Sequence, residues 1–227
     1  MRRVWYAVLL ALGRFNDRHP WSHNDFYTQW VLRQARRISR HDDTRALDVG
    51  CGTGNLAKRL AGVVDFVVAI EPDPRTAARA RNNLSTTPNT EVRQIPFDSV
   101  TGGGFDLITF VAVLHHLPLS ETIGHARSLL RADGRLVVVG VALDAPGDWP
   151  WALPSMVLNP IIGVLKHPRR ARALPANMTA PIAPAVQTFP EIARVIRHKL
   201  PGVVIHRGLF WRYTALWIAP PATTSAT

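Results

Sequence analysis

The chain has 227 residues, 47% of them apolar and 19% charged, and a formal charge of +11. That length can bury a sizeable core, and the composition excludes global disorder. The one cysteine, Cys51, excludes an intramolecular disulfide and a thiolate metal cluster and suits a reducing cytoplasm.

The charge is unevenly spread: residues 1–45 are net +5, residues 46–165 net −2 and residues 166–227 net +8. All seven tryptophans lie outside Val31–Asp148, and nine of the eighteen prolines fall between Pro146 and Pro190. The chain therefore reads as one domain over 1–227, an aliphatic centre with aromatic, basic and proline-broken flanks.

In chain order, Val4–Leu12 is an apolar run of nine residues, about half of what a membrane-spanning helix needs. Behind Arg2 and Arg3 it imitates a secretory signal, but Gly13-Arg14-Phe15 offers no small-x-small cleavage site, which leaves an amphipathic or buried N-terminal helix. Helical spacing then puts Tyr27 and Trp30 on one face with His23 a turn earlier. A core stripe accounts for that spacing, and so does a lid, within residues 1–41, whose His23 and Tyr27 face a cleft.

The centre alternates element types. Ala46–Val49 is a short strand, Asn55–Gly62 a helix, Val63–Ile70 a β-branched strand, and Pro74–Leu84 a helix with proline where a helix N-terminus tolerates it. Glu91–Ile95 and Phe105–Val113 read as strands, Leu119–Leu130 as an amphipathic helix, and Leu136–Val141 as an apolar strand. Near-continuous apolar strands separated by helices predict a parallel sheet covered on both faces. Glu191–Leu200 adds a helix, and Val203–His206 with Trp211–Ile218 an antiparallel pair. The expected fold is thus α/β, a doubly wound, Rossmann-like, mostly parallel seven-stranded sheet ending in an antiparallel pair.

Between the fifth strand and that pair, residues 143–188 are expected to form an irregular cover. Its apolar residues, Trp149 and Trp151 among them, are interrupted by Pro150, Pro154 and Pro160 and followed by Lys166, Arg169, Arg170 and Arg172. Three readings fit: a pocket wall with a basic rim for a lipophilic or anionic molecule, a peripheral membrane contact, or an ordinary cover on the sheet. Residues 220–227 read as a loose tail.

The chemistry is expected at the first strand-to-helix turn, Leu47-Asp48-Val49-Gly50-Cys51-Gly52-Thr53-Gly54. Glycines there let the backbone bend sharply and a ligand come close, at the strand ends where open α/β sheets bind. Glu71 ends the next strand nineteen residues after Gly52, the spacing at which an acid reaches a ribose diol. A nucleoside-bearing cofactor follows. Asn55 stands where a dinucleotide fingerprint needs its third glycine, and no Walker Gly-Lys-Ser/Thr is present.

The ordered segments LDVGCGTG, AIEPD, FDSV, FDLITFVAVLHHL and LLRADGRLVVVG resemble the class I S-adenosylmethionine-dependent methyltransferases, and more narrowly the small-molecule methyltransferase type 11 group, over about residues 42–142. The resemblance implies roles. Asp48 with Gly50, Cys51, Gly52, Thr53 and Gly54 would hold the methionine part of S-adenosyl-L-methionine, and Glu71 the ribose. Pro72 and Phe97 would flank the adenine, with Asp98 on its amine, and Val111 to His115 would line the methyl side. His23 and His115 are the base candidates it places near that methyl group. Tyr27, Trp30, His116, Trp149 and Trp151 are expected on the substrate side, with no metal.

The fourth strand lacks the Asn/Asp-Pro-Pro-Tyr/Phe element of amino-directed DNA methyltransferases, and no RNA-binding module is readable. A small-molecule acceptor in the cytoplasm is the expectation. A non-methylating catalyst, a binding or regulatory protein on the same fold, and an RNA methyltransferase stand as alternatives.

Overall fold

The computed structural model describes residues 15, 18–38, 43–169 and 184–222. The Val4–Leu12 run, Arg170, Arg172 and the end of the expected tail lie outside them. Helix α1 is His23–Ile38; β1 (Arg45–Val49), α2 (Asn55–Leu60), β2 (Phe66–Ile70), α3 (Pro74–Leu84) and β3 (Thr90–Arg93) form the first half. The second half comprises β4 (Phe105–Val111), α4 (Leu119–Leu129), β5 (Leu130–Val141), α5 (Trp149–Lys166), α6 (Phe189–Lys199), β6 (Val204–Arg207) and β7 (Arg212–Ile218).

The strand order is β3-β2-β1-β4-β5-β7-β6. The first five strands run parallel, and β7 lies antiparallel to both β5 and β6. Strand order reverses between β1 and β4, the switch point where such sheets leave a crevice.

The apolar strands are buried on both faces, so successive residues enter two different cores. Leu47, Val49, Ile108, Phe110, Leu136 and Val138 pack with Ile123 and Ala126 of α4 and Ile192 and Ile196 of α6. Their sequence neighbours Ala46, Leu107, Val137 and Val139 pack with Val31, Leu32 and Ala35 of α1 and Ala57 and Leu60 of α2. This is the physical reason that the strands read as continuous runs rather than alternations.

Two expectations need correction. The strand expected from Val63 starts at Phe66, because the Val63 and Val64 amides donate to Leu60 C=O and close α2, while the Asp65 carboxylate accepts from the Thr44 amide and hydroxyl. The cover expected to be irregular contains an 18-residue helix, α5. Pro150 sits in its first turn, where a missing N–H costs nothing, but Pro154 and Pro160 each remove a donor from the ladder.

Tertiary hydrogen bonds offset that loss. Ser155 Oγ donates to Trp151 C=O (2.6 Å) and accepts from the Phe210 amide (2.7 Å). The Trp21 indole N–H donates to Asn159 Oδ1 (2.8 Å). Ser155, Asn159 and Gly163, spaced i, i+4, i+8, are the buried residues of α5.

Candidate active site

A cavity of about 1020 Å³ opens at the carboxyl ends of β1, β2 and β4, at the upper end of the roughly 300–1,000 Å³ of small-molecule sites. One half is built by the glycine loop. After β1 the chain turns through Gly50, Gly52 and Gly54, all at positive φ, and enters α2. A Cβ on Gly52 would meet no atom within 4 Å, so the space beside this backbone is left open.

Parallel pairing of Val49 with Ile70 brings Glu71 beside that turn. Glu71 Oε2 accepts from the Gly52 amide and Oε1 from the Asp73 amide, both at 3.1 Å. Two backbone bonds thus fix the carboxylate, and each oxygen keeps a second lone pair.

Asp48 is buried beneath the loop. Its Oδ1 accepts from Thr109 Oγ1 at 2.7 Å, whereas Oδ2 is buried with no hydrogen-bond partner among the described residues. Desolvation, with the Glu71 charge adding to it, raises the Asp48 pKa from 3.8 to about 7. The Ala57 amide and Thr109 work against that rise without cancelling it, and a buried carboxylate beside an open glycine backbone fits a ligand that carries a cationic group. Cys51 is buried, and desolvation pushes its thiol pKa well up, so it is a filler and no nucleophile.

Ile95, Pro96, Phe97 and Pro72 continue this half of the wall. Phe97 is held edge-on by Phe110 and His125. Asp98 is exposed on the short turn Phe97–Ser99, directly after Phe97 and outside the residues that line the cavity. Gly54 also stands back from the cavity, packed against Leu84 as the residue preceding α2.

β4 ends in Val111, and Ala112, at φ 55, turns the chain into a single turn, Leu114–His116. Val111, Ala112, Val113, His115 and His116 all line the cavity, the two histidine rings 4.1 Å apart.

The other half comes from segments remote in sequence: Trp21 to Asp25 with Thr28 and Val31, Asn159 of α5, Pro184 and Ala185, and Trp211 and Arg212 at the start of β7. Of the lid candidates, His23 lies in this wall. Tyr27 does not: it is buried in the core, its hydroxyl donating to Leu209 C=O at 2.8 Å. Trp30 packs against the same core. Trp149 and Trp151 are exposed on α5, away from the cavity. The core-stripe reading of Tyr27 and Trp30 therefore stands, and substrate-side roles for these four residues do not emerge from the geometry.

The state of His23 follows from its neighbours. The donor-only indole of Trp21 identifies the Asn159 atom it meets as the amide oxygen, so His23 Nε2, 2.9 Å from the same oxygen, must be the donor. Neutral His23 then carries its lone pair on Nδ1. Burial, reinforced by the nearby Arg212 charge, lowers its pKa to about 4 despite the Asn159 bond.

Sequence reasoning missed Asn24, Asn159, Trp211 and Arg212. Arg212 Nε donates to Asn24 Oδ1 at 3.1 Å and Nη1 to Phe210 C=O at 3.4 Å. Phe210 and Trp211 both hold positive φ (57°), an uncommon backbone for bulky residues. No local pattern marked them, since they reach the cavity from three segments remote in sequence.

Comparison with known proteins agrees with this geometry. A family model described as a methyltransferase domain matches residues 47–136, the segment that carries the loop, Glu71 and β4. An uncharacterized methyltransferase of Mycobacterium tuberculosis is 32% identical over 184 residues, covering 77% of this chain and 86% of that protein. A ubiquinone biosynthesis O-methyltransferase of Acinetobacter baylyi is 33% identical over 135 residues, 57% of this chain and 56% of that one. The crystal structure of a SAM-dependent methyltransferase from Aquifex aeolicus shares the fold, with a TM-score of 0.56 at 14% identity over 84% of this chain and 88% of that chain. The glycine turn, the acid that closes it and the sheet that presents them are thus common property, and the chain belongs to the class I S-adenosylmethionine-dependent methyltransferases.

Proposed function

We propose that this enzyme methylates a small organic molecule held in the second half of the cavity. The carrying observation is that half itself. Trp21, His23, Val31, Asn159 and Trp211 line it beside the cofactor loop, in a cavity of small-molecule size. The similarity to a ubiquinone biosynthesis O-methyltransferase supports a small acceptor.

In this reading the Gly50–Thr53 backbone and the start of α2 receive the carboxylate of S-adenosyl-L-methionine, Asp48 its ammonium, and Glu71 both ribose hydroxyls. Pro72 and Phe97 bracket the adenine. The cofactor supplies an activated methyl group, so the protein's work is to align the acceptor and exclude water. His23 and His115 are the side chains available to take a proton. The low basicity of His23 suits an acceptor that arrives ionised.

Calorimetry is expected to show binding of S-adenosyl-L-methionine and its demethylated product, and mass spectrometry a methyl increment on a metabolite of an extract. Gly52→Val, which projects into open cavity space, should abolish that binding. Glu71→Ala should weaken it at least about tenfold, since a hydrogen bond to a charged group is worth roughly 1.5–3 kcal/mol. Unchanged affinity in both variants would overturn the assignment.

A second reading concerns location and rests on α5, whose polar and small residues face inward while Trp149, Trp151, Leu153, Val157, Ile161 and Leu165 are exposed. Lys166 and Arg169 follow directly, so this face suits peripheral contact with an anionic membrane. No described helix is long and apolar enough to cross a membrane.

A further inference from the structure

Two arginines of the β6–β7 hairpin are drawn into the protein, and they are treated differently. Arg207 ends β6 and is buried between two carboxylates, 2.9 Å from Asp148 and 3.2 Å from Asp144. Arg212 begins β7, is part-buried and lines the cavity. Among the described residues it makes no ion pair within 4.0 Å; it donates to an amide oxygen and a backbone carbonyl, both neutral. Desolvation lowers its pKa to about 10, and among the described residues no carboxylate meets the cost of holding this charge away from water.

The surroundings are specific. Two successive residues with left-handed backbone, Phe210 and Trp211, deliver Arg212 to the cavity wall, and the Phe210 amide is fixed by Ser155 Oγ. Strain retained in a loop that the rest of the structure over-determines is a mark of a working position. The same wall carries the rings of Trp211, Trp21 and His23, the last held uncharged by burial, and its one carboxylate among the described residues of this half, Asp25, makes no ion pair with Arg212. A planar fork of donors beside these rings matches a carboxylate attached to an apolar or aromatic body.

We infer that Arg212, positioned by Asn24, anchors the carboxylate of the methyl acceptor, so that the substrate class is carboxylic acids with an apolar body. The inference rests on the proposed small-molecule reading and sharpens it.

The test uses the full-length protein loaded with S-adenosylhomocysteine and titrated by calorimetry with benzoate and octanoate, each against its neutral amide. Each acid is expected to bind at least tenfold more tightly than its amide. Arg212→Gln should erase that preference while leaving S-adenosylhomocysteine affinity unchanged, and Arg212→Lys, which keeps charge without the fork, should retain part of it. Equal binding of acid and amide, absence of binding by both acids, or a preference that survives Arg212→Gln would overturn the inference. Should Arg212→Gln fail to fold, a wild-type preference in Arg212→Lys would overturn it as well. Loss of S-adenosylhomocysteine binding by the wild-type protein would instead sink the cofactor-site reading, so the two failures are distinguishable.

Discussion

At the residue scale, Asp48 carries the clearest consequence. Its pKa is raised from 3.8 to about 7, so between about pH 4 and pH 7 the folded chain holds a proton that the unfolded chain has released. The group therefore lowers stability as pH rises across that window. A bound ammonium facing Oδ2 would favour the ionised form, coupling cofactor binding to release of this proton. Affinity for S-adenosyl-L-methionine is expected to rise roughly tenfold between pH 5.5 and 7 and then level, and Asp48→Asn should flatten the difference. Calorimetry across that range, in buffers of different ionisation enthalpy, checks it; His115 and His116 line the same cavity and are common to both proteins. Asp48 and Glu71 were legible as candidates because Asp48 interrupts the apolar strand β1 just before the glycine turn and Glu71 directly follows β2. Asp98 lies on a one-turn helix, where no periodicity fixes the direction of a side chain.

At the element scale, α5 shows how tertiary bonds can overrule local composition. Three prolines within eleven residues, Pro150, Pro154 and Pro160, argue for irregular chain, yet Ser155 and Asn159 tie the helix to the β6–β7 turn and to Trp21. Because its small and polar residues face inward, the apolar side is left outside, with Val157 62% and Leu165 75% exposed. If that side meets an anionic bilayer, the protein should sediment with phosphatidylserine-containing vesicles. Val157→Glu with Ile161→Glu should release it without altering cofactor affinity. High salt should weaken the contact only in part, since burial of apolar surface is not screened. Co-sedimentation that is absent, or indifferent to the double substitution, would return α5 to an ordinary cover.

At the scale of the whole molecule, the reversal of direction at β7 is locked by one close approach. Gly140 pairs with Tyr213 across β5 and β7, and a Cβ on Gly140 would lie within the buried tyrosine ring. Gly140→Ala should therefore destabilise the protein by about 1–3 kcal/mol, a fall in Tm of roughly 2–4 °C per kcal/mol for a chain of this size, measurable by thermal unfolding. That lock also matters for the site, since Arg212 begins the strand it fixes. The sequence by itself determined the sheet, the glycine turn and Glu71. Each depends on contiguous chain or on the parallel pairing of strands next to each other in order, and apolar runs and glycine spacing encode both. Only the tertiary structure decided the acceptor half of the cavity. Asn24, Asn159 and Arg212 lie more than a hundred residues apart at their widest and meet only because α5 packs across the hairpin and β7 turns back along β5. No local pattern carries that convergence, because it arises from packing between elements rather than from the preference of any one of them.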